Sequence, residues 1–168
     1  MLSAILLFVY FVSAAAMNEH GPVTSAAKPV ACHFFSYENA EKLLGQKVTA
    51  SDGEESKADG GQKWTCTFTT AAGENGPRLF FAIFRDGTEE AAKSEFQKVR
   101  LSNQTHAGFE EWPGVADEAV VQITDGKNFQ FVMLRKGVKT LRIKVGNSNG
   151  VSFDELKSVA ASLAAKLK

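Results

Sequence analysis

The sequence predicts an α+β domain: an antiparallel β-sheet with helices packed on it, in the order α-β-β-β-α-β-β-β-β-α. Three observations carry that prediction. Four strand-like runs (His106–Trp112, Glu118–Thr124, Asn128–Arg135 and Val138–Val145) are separated by Pro113-Gly114, Asp125-Gly126 and Lys136-Gly137. Connections so short suit hairpins and force antiparallel pairing. Two longer segments carry helical stripes behind capping residues, and an earlier pair of runs reads as strand.

The elements follow in chain order. Ser36 can cap a short helix in which Ala40, Leu43 and Leu44 share a face and Gly45 ends it. Gln46–Ala50 reads as a short strand and Ser51–Gln62, with its glycines among acidic residues, as a loop. Trp64, Cys66 and Phe68 alternate with Thr65, Thr67 and Thr69, the pattern of a half-buried strand. After a Gly73–Pro77 turn, Arg78–Arg85 is apolar on both faces and suits a central strand. Thr88 caps a helix reaching about Ser102, striped by Ala92, Phe96 and Val99. Ser152-Phe153-Asp154-Glu155 is a capping box ahead of a last helix striped by Leu156, Val159, Leu163 and Leu167.

Composition narrows the function classes. The chain has 168 residues, 44% of them hydrophobic, with 19 basic and 19 acidic side chains. That is one globular domain without the basic excess of a general nucleic-acid binder. The 2 cysteines cannot build a zinc site alone, and no apolar run reaches the 18 residues or so of a membrane span.

Residues 1–16 read as an export signal: Leu2–Val12 is an almost unbroken apolar run, and Ala14 and Ala16 supply the A-x-A cleavage pattern. Residues 17–29 have linker composition, the folded domain spans 30–168, and the mature protein is expected to begin at Met17 in a periplasmic or secreted location. Cys32 lies too far beyond the apolar run to be lipidated. In an oxidising compartment Cys32 and Cys66 read as a disulfide. A thiol–imidazole pair with the adjacent His33 is disfavoured, because neighbours in sequence point apart.

Cys32, the Glu38–Gly45 stretch, Trp64-x-Cys66, Gly114-Val115-Ala116-Asp117-Glu118-Ala119 and Arg135-Lys136-Gly137 occur in this order. Together they resemble a family of small exported bacterial domains, mostly cell-envelope lipoproteins of unknown function, with a PsbP-like sandwich fold. The resemblance runs from Cys32 to Lys168. It implies the disulfide, the α+β sandwich, extracytoplasmic placement and kinship with the sensory ectodomains of membrane kinases. It carries over no catalytic residue. Ala116 stands where a second glycine is common, and without lipidation of Cys32 membrane tethering does not transfer.

Candidate chemistry is sparse. The acidic pairs Glu54-Glu55, Glu89-Glu90, Glu110-Glu111 and Asp117-Glu118 read as solvated or capping, and His20, His33 and His106 have no ligand spacing. No G-x-S-x-G, phosphate-loop or H-E-x-x-H signature occurs. Trp64 reads as core. Trp112, at a hairpin tip, is a candidate exposed aromatic, and the Asn103 sequon matters only in a eukaryotic secretory path. From Lys127 to Gly150 there are basic residues and no acidic one. Lys136, Lys139, Arg142 and Lys144 therefore form a candidate anion-binding set.

These features point to an exported, non-catalytic binding or sensory module for a small ligand or an envelope protein, with weak affinity for anionic surfaces. No catalytic residue, metal ligand or cofactor is assigned. The alternatives are an exported hydrolase of small substrates using His33, His106 or an acidic pair, and a structural protein of the cell envelope.

Overall fold

The computed structural model describes residues 30–58, 60–124, 129–147 and 152–167. The export signal at 1–16, the linker at 17–29, the Asp125-Gly126 turn and Lys127 lie outside them. The described elements are α1 (Val30–Phe34), α2 (Tyr37–Leu44), β1 (Val48–Ala58), β2 (Gly61–Thr70), β3 (Arg78–Arg85), α3 (Glu89–Asn103), β4 (Phe109–Glu111), β5 (Glu118–Ile123), β6 (Phe129–Lys136), β7 (Lys139–Gly146) and α4 (Phe153–Lys166). The strands form one sheet in the order β1-β2-β3-β7-β6-β5-β4, antiparallel at every step. The α+β class and the predicted order hold, with α1 as an additional turn of helix.

The local signals act where expected. Ser36 Oγ accepts the Asn39 N–H at 3.2 Å, and Gly45 stops α2 at φ 64°. Thr88 Oγ1 accepts the Ala91 N–H at 3.1 Å. At α4 the capping box does not close: the Ser152 carbonyl accepts from Leu156 N–H, but its side chain makes no cap bond.

Two segments depart from expectation. Ser51–Ala58, expected as a loop, continues β1, with Ser51 opposite Phe68 and Ala58 opposite Gly61. Only β2 pairs with β1, so its acidic residues sit on a sheet edge, where charge is tolerated and deters pairing with other chains. The His106–Trp112 run contracts to Phe109–Glu111. Just before it the backbone turns at Gly108 with φ 71°, where a Cβ would stand 1.8 Å from the Ile123 carbonyl oxygen. Only glycine allows that approach.

Alternation divides the apolar residues between two layers. Facing α1, α2 and α4 are Cys66, Phe68, Leu79, Phe81, Leu134, Leu141 and Ile143, all buried. Phe35, the residue after α1, lies 4.9 Å from the Phe81 ring and 5.6 Å from the Phe68 ring. Trp64 is half-buried and packs on this core, as its alternation with Cys66 implies. The opposite face carries a smaller cluster of Phe131, Met133 and Val120 beneath Phe96 of α3.

The Cys32–Cys66 disulfide ties α1 to β2, 34 residues apart in sequence. A closed loop of this length restricts the unfolded chain by about 3–4 kcal/mol in the entropic model. Reduction, or Cys32→Ala with Cys66→Ala, should lower the unfolding free energy by about that amount, read from urea denaturation. An unchanged midpoint would show that packing of Phe35 holds α1 without the bond.

Candidate anion-binding face

Two polar assemblies lie under α3, and they differ in kind. The first is centred on Arg135, whose side chain is 3% exposed. Its Nε donates to Glu118 at 2.5 Å, and its Nη1 donates to the Gly137 carbonyl at 2.9 Å and faces Asp117 and Glu89 at 3.4 and 3.5 Å. Asp117 also accepts the Gly137 N–H at 2.8 Å. Glu118 accepts from Gln97 at 2.7 Å, Gln97 accepts from Arg100, and Arg100 pairs with Glu111. The Gly114–Ala119 and Arg135–Gly137 motifs are thus one clamp joining α3 to β5 and the β6–β7 turn.

A buried cation with saturated partners is structural. Removing it leaves Glu118, one quarter exposed, without its counterion; breaking a buried pair in this way costs about 3–5 kcal/mol. Arg135→Ala should destabilise the domain by that order in chemical denaturation. A loss below about 1 kcal/mol would place the pair among solvated surface bridges.

The second assembly begins with the register of β2, β3 and β7. Reading across the sheet, Lys63 neighbours Phe84, which neighbours Thr140; Thr65, Ala82 and Arg142 form the next row; Thr67, Phe80 and Lys144 form the third. Arg142 and Lys144 therefore share a face with Lys63. Lys136 and Lys139 pair with each other and follow the alternation of Leu134 and Leu141, which puts them on the opposite face. The four cations grouped by the sequence do not form one stripe. Lys63 takes the place of the two at the turn.

These cations rest on aromatic rings. The Arg142 guanidinium is 4.4 Å from the Phe84 centroid, with the Lys63 ammonium at 5.9 Å; Lys144 lies 6.0 Å from Phe80 and 5.9 Å from Phe131. Arg142, one of the candidate anion-binding residues, is only 16% exposed and pairs with Glu95 of α3 at 3.4 Å. Among the described residues, neither Lys63 nor Lys144 forms an ion pair with a carboxylate. Burial lowers the pKa of Lys144, and the charges of Arg142 and Lys63 lower it further. Burial also lowers that of Arg142, against the opposing charges of Glu95 and Asp86.

A cleft of about 440 Å³ opens between the first half of α3 and the ends of β2 and β3. Lys63, Phe84, Arg85, Asp86, Glu95 and Lys98 line it. The Glu95–Arg142 pair stands between this cleft and a groove of about 90 Å³ that reaches Lys144. Asp86 and Glu95 are the carboxylates of the cleft. The pKa of Asp86 is raised, first by burial and then by Glu95.

The remaining sequence candidates lie elsewhere. Trp112 is half-buried on the main core, with the Lys157 ammonium 5.5 Å from its ring. His33 and His106 are exposed and far apart in the fold's order, and Cys32 is bonded rather than free. Glu89, Glu111, Asp117 and Glu118 are occupied by the ion pairs above. No group of three or more metal-ligating side chains occurs among the described residues, and no helix there is long and apolar enough to cross a membrane. In comparisons with known proteins, no family model and no curated protein matches this chain.

The lowered pKa of Lys144 has a measurable consequence for stability. A lysine whose pKa is lowered by the fold loses stability while charged and regains it as rising pH neutralises it. Lys144→Met keeps an apolar stem over Phe80 and Phe131 and removes the charge. It should raise the melting temperature at neutral pH, by an amount that shrinks with added salt. A melting temperature lowered at low salt would mean that the cation–ring contacts outweigh repulsion.

Proposed function

We propose that this chain is an exported, non-catalytic binding module that takes a small carboxylate-bearing ligand in the cleft beside α3. The observation that carries this reading is Lys63 in the cleft with Arg142 and Lys144 on the adjoining groove, all three on phenylalanine rings, and, among the described residues, Lys63 and Lys144 without a carboxylate partner. Cations held at a cost in desolvation and mutual repulsion are poorly explained by solubility and well explained by an anion that relieves both. A cleft of this size falls in the range of small-molecule sites.

Export is supported by the Leu2–Ala16 segment and by the Cys32–Cys66 disulfide. The PsbP-like sandwich and a place in the cell envelope rest on the resemblance carried by Cys32, Trp64-x-Cys66, Gly114–Ala119 and Arg135–Gly137. A sensory role belongs to the same reading, with ligand occupancy as its input. Catalysis receives little support, because the acidic pairs best placed for it are engaged by Arg135 and Arg100.

Titration of the mature, disulfide-bonded chain with N-acetyl-L-leucine, followed by amide chemical shifts, tests the site. Shifts should concentrate at Gly61–Lys63, Phe84–Asp86 and α3. Binding should weaken as salt rises, since the Debye length falls from about 10 Å at 0.1 M to about 3 Å at 1 M. Lys63→Ser with Lys98→Ser, both in the cleft, should weaken it at least tenfold without unfolding. Absence of binding at low salt would sink the reading.

A further inference from the structure

The cleft holds a mismatch that a simple anion leaves in place. Asp86 Oδ2 is buried and has no hydrogen-bond partner. Arg142 Nε is buried and likewise unpartnered, although its Nη2 reaches Glu95. The two groups feel each other's charge, yet Arg142 makes its ion pair with Glu95 and none with Asp86. The orphan acceptor lines the cleft, while the orphan donor lies on the groove beside it, behind the Phe84 ring that both sides share. Buried polar atoms are rarely left so, and each calls for an explanation.

The charges around the cleft restrict what can answer Asp86. Lys63, Arg85 and Lys98 line it and Arg142 lies beneath, against the carboxylates of Asp86 and Glu95. Glu95 is already shared between Arg142 and Lys98. A bare cation meets a surplus of positive charge. A bare anion satisfies the cations and leaves Asp86 unpaired. A compact group carrying both an ammonium and a carboxylate satisfies both, and Phe84 offers an apolar wall to whatever side chain it bears.

We infer that the cleft selects a zwitterion of the α-amino-acid class, its ammonium at Asp86 and its carboxylate toward Lys63 and Lys98. This rests on the carboxylate-binding reading above and adds recognition of the amine. The raised pKa of Asp86 agrees with a carboxyl that lacks its counterion. Ammonium binding needs that carboxyl ionised, so protonation of Asp86 on acidification removes the contact that singles out the zwitterion. Glu95 and Lys98 from α3, Lys63 from β2, Arg85 from β3 and Arg142 from β7 are the other charged groups facing it.

The test is a calorimetric and chemical-shift comparison on the mature chain with four probes. They are L-leucine, N-acetyl-L-leucine, 4-methylpentanoate, which lacks the amine, and isopentylamine, which lacks the carboxylate. Leucine should bind at least tenfold tighter than each of the other three. Asp86→Asn, nearly isosteric, should erase that preference by weakening leucine while 4-methylpentanoate binds as tightly or tighter, with folding checked by circular dichroism. Equal affinity for leucine and 4-methylpentanoate overturns the inference and leaves the carboxylate reading standing. Isopentylamine binding as tightly as leucine overturns the inference, as does a preference that survives Asp86→Asn. Failure of all four probes on the wild-type chain overturns the inference and the carboxylate reading together.

Discussion

The pairing of β3 with β7 is the constraint on which the rest of the molecule depends. It joins the amino-terminal hairpin of β1 and β2 to the carboxy-terminal meander of β4 to β7, across an intervening stretch that contains α3. Its register, Phe81 opposite Ile143 and Ala82 opposite Arg142, decides the content of both faces. A slip of one residue would turn Ile143 out of the main core and drive Arg142 into it. The burial of Leu79, Phe81, Leu141 and Ile143 against α1, α2 and α4 forbids that slip. The aromatic and basic character of the α3 face is therefore held in place by apolar packing on the other side of the sheet.

The two faces differ in how well their polar groups are served. The main core is almost wholly apolar and is braced by a disulfide. Beneath α3 the apolar cluster is small, Arg142 is desolvated, and Asp86, Thr140 and Arg142 each keep a buried polar atom without a partner. Such groups oppose stability, so the α3 face is carried by the strength of the other. A stable scaffold bearing one under-satisfied face is the usual arrangement of a binding site.

The fold was legible where its signals are local. Ser36, Gly45 and Thr88 act through neighbours within four residues, and the Lys136-Gly137 turn is set by its own backbone. The length of β1 was not legible: Ser51–Ala58 is polar and glycine-bearing, and becomes a strand only because β2 supplies a ladder along its whole length. The site was half legible. Arg142 and Lys144 stand out in a stretch without acids, but Lys63 belongs to β2 and Asp86 follows β3, and their approach depends on pairings between distant segments. Alternation did contain a clue, since Phe80 and Phe84 give β3 a second apolar face that something had to cover.

Arg135 and Arg142 show why burial of a charge does not by itself separate structure from function. Both project from central strands toward α3, and both side chains are largely withdrawn from water. Around Arg135 every neighbour is an acceptor already oriented by a second bond: Asp117 by Gly137, Glu118 by Gln97. Nothing remains for a ligand to do there, and a ligand entering would have to displace bonds better than its own. Around Arg142 the single carboxylate partner is shared with Lys98, Nε has no acceptor, and the nearest other acid has no donor. That network is incomplete in complementary ways, with one donor and one acceptor unmet, and this is the ground on which a ligand is proposed there. The saturated network holds α3 to the sheet, and the unsaturated one contributes little to that attachment.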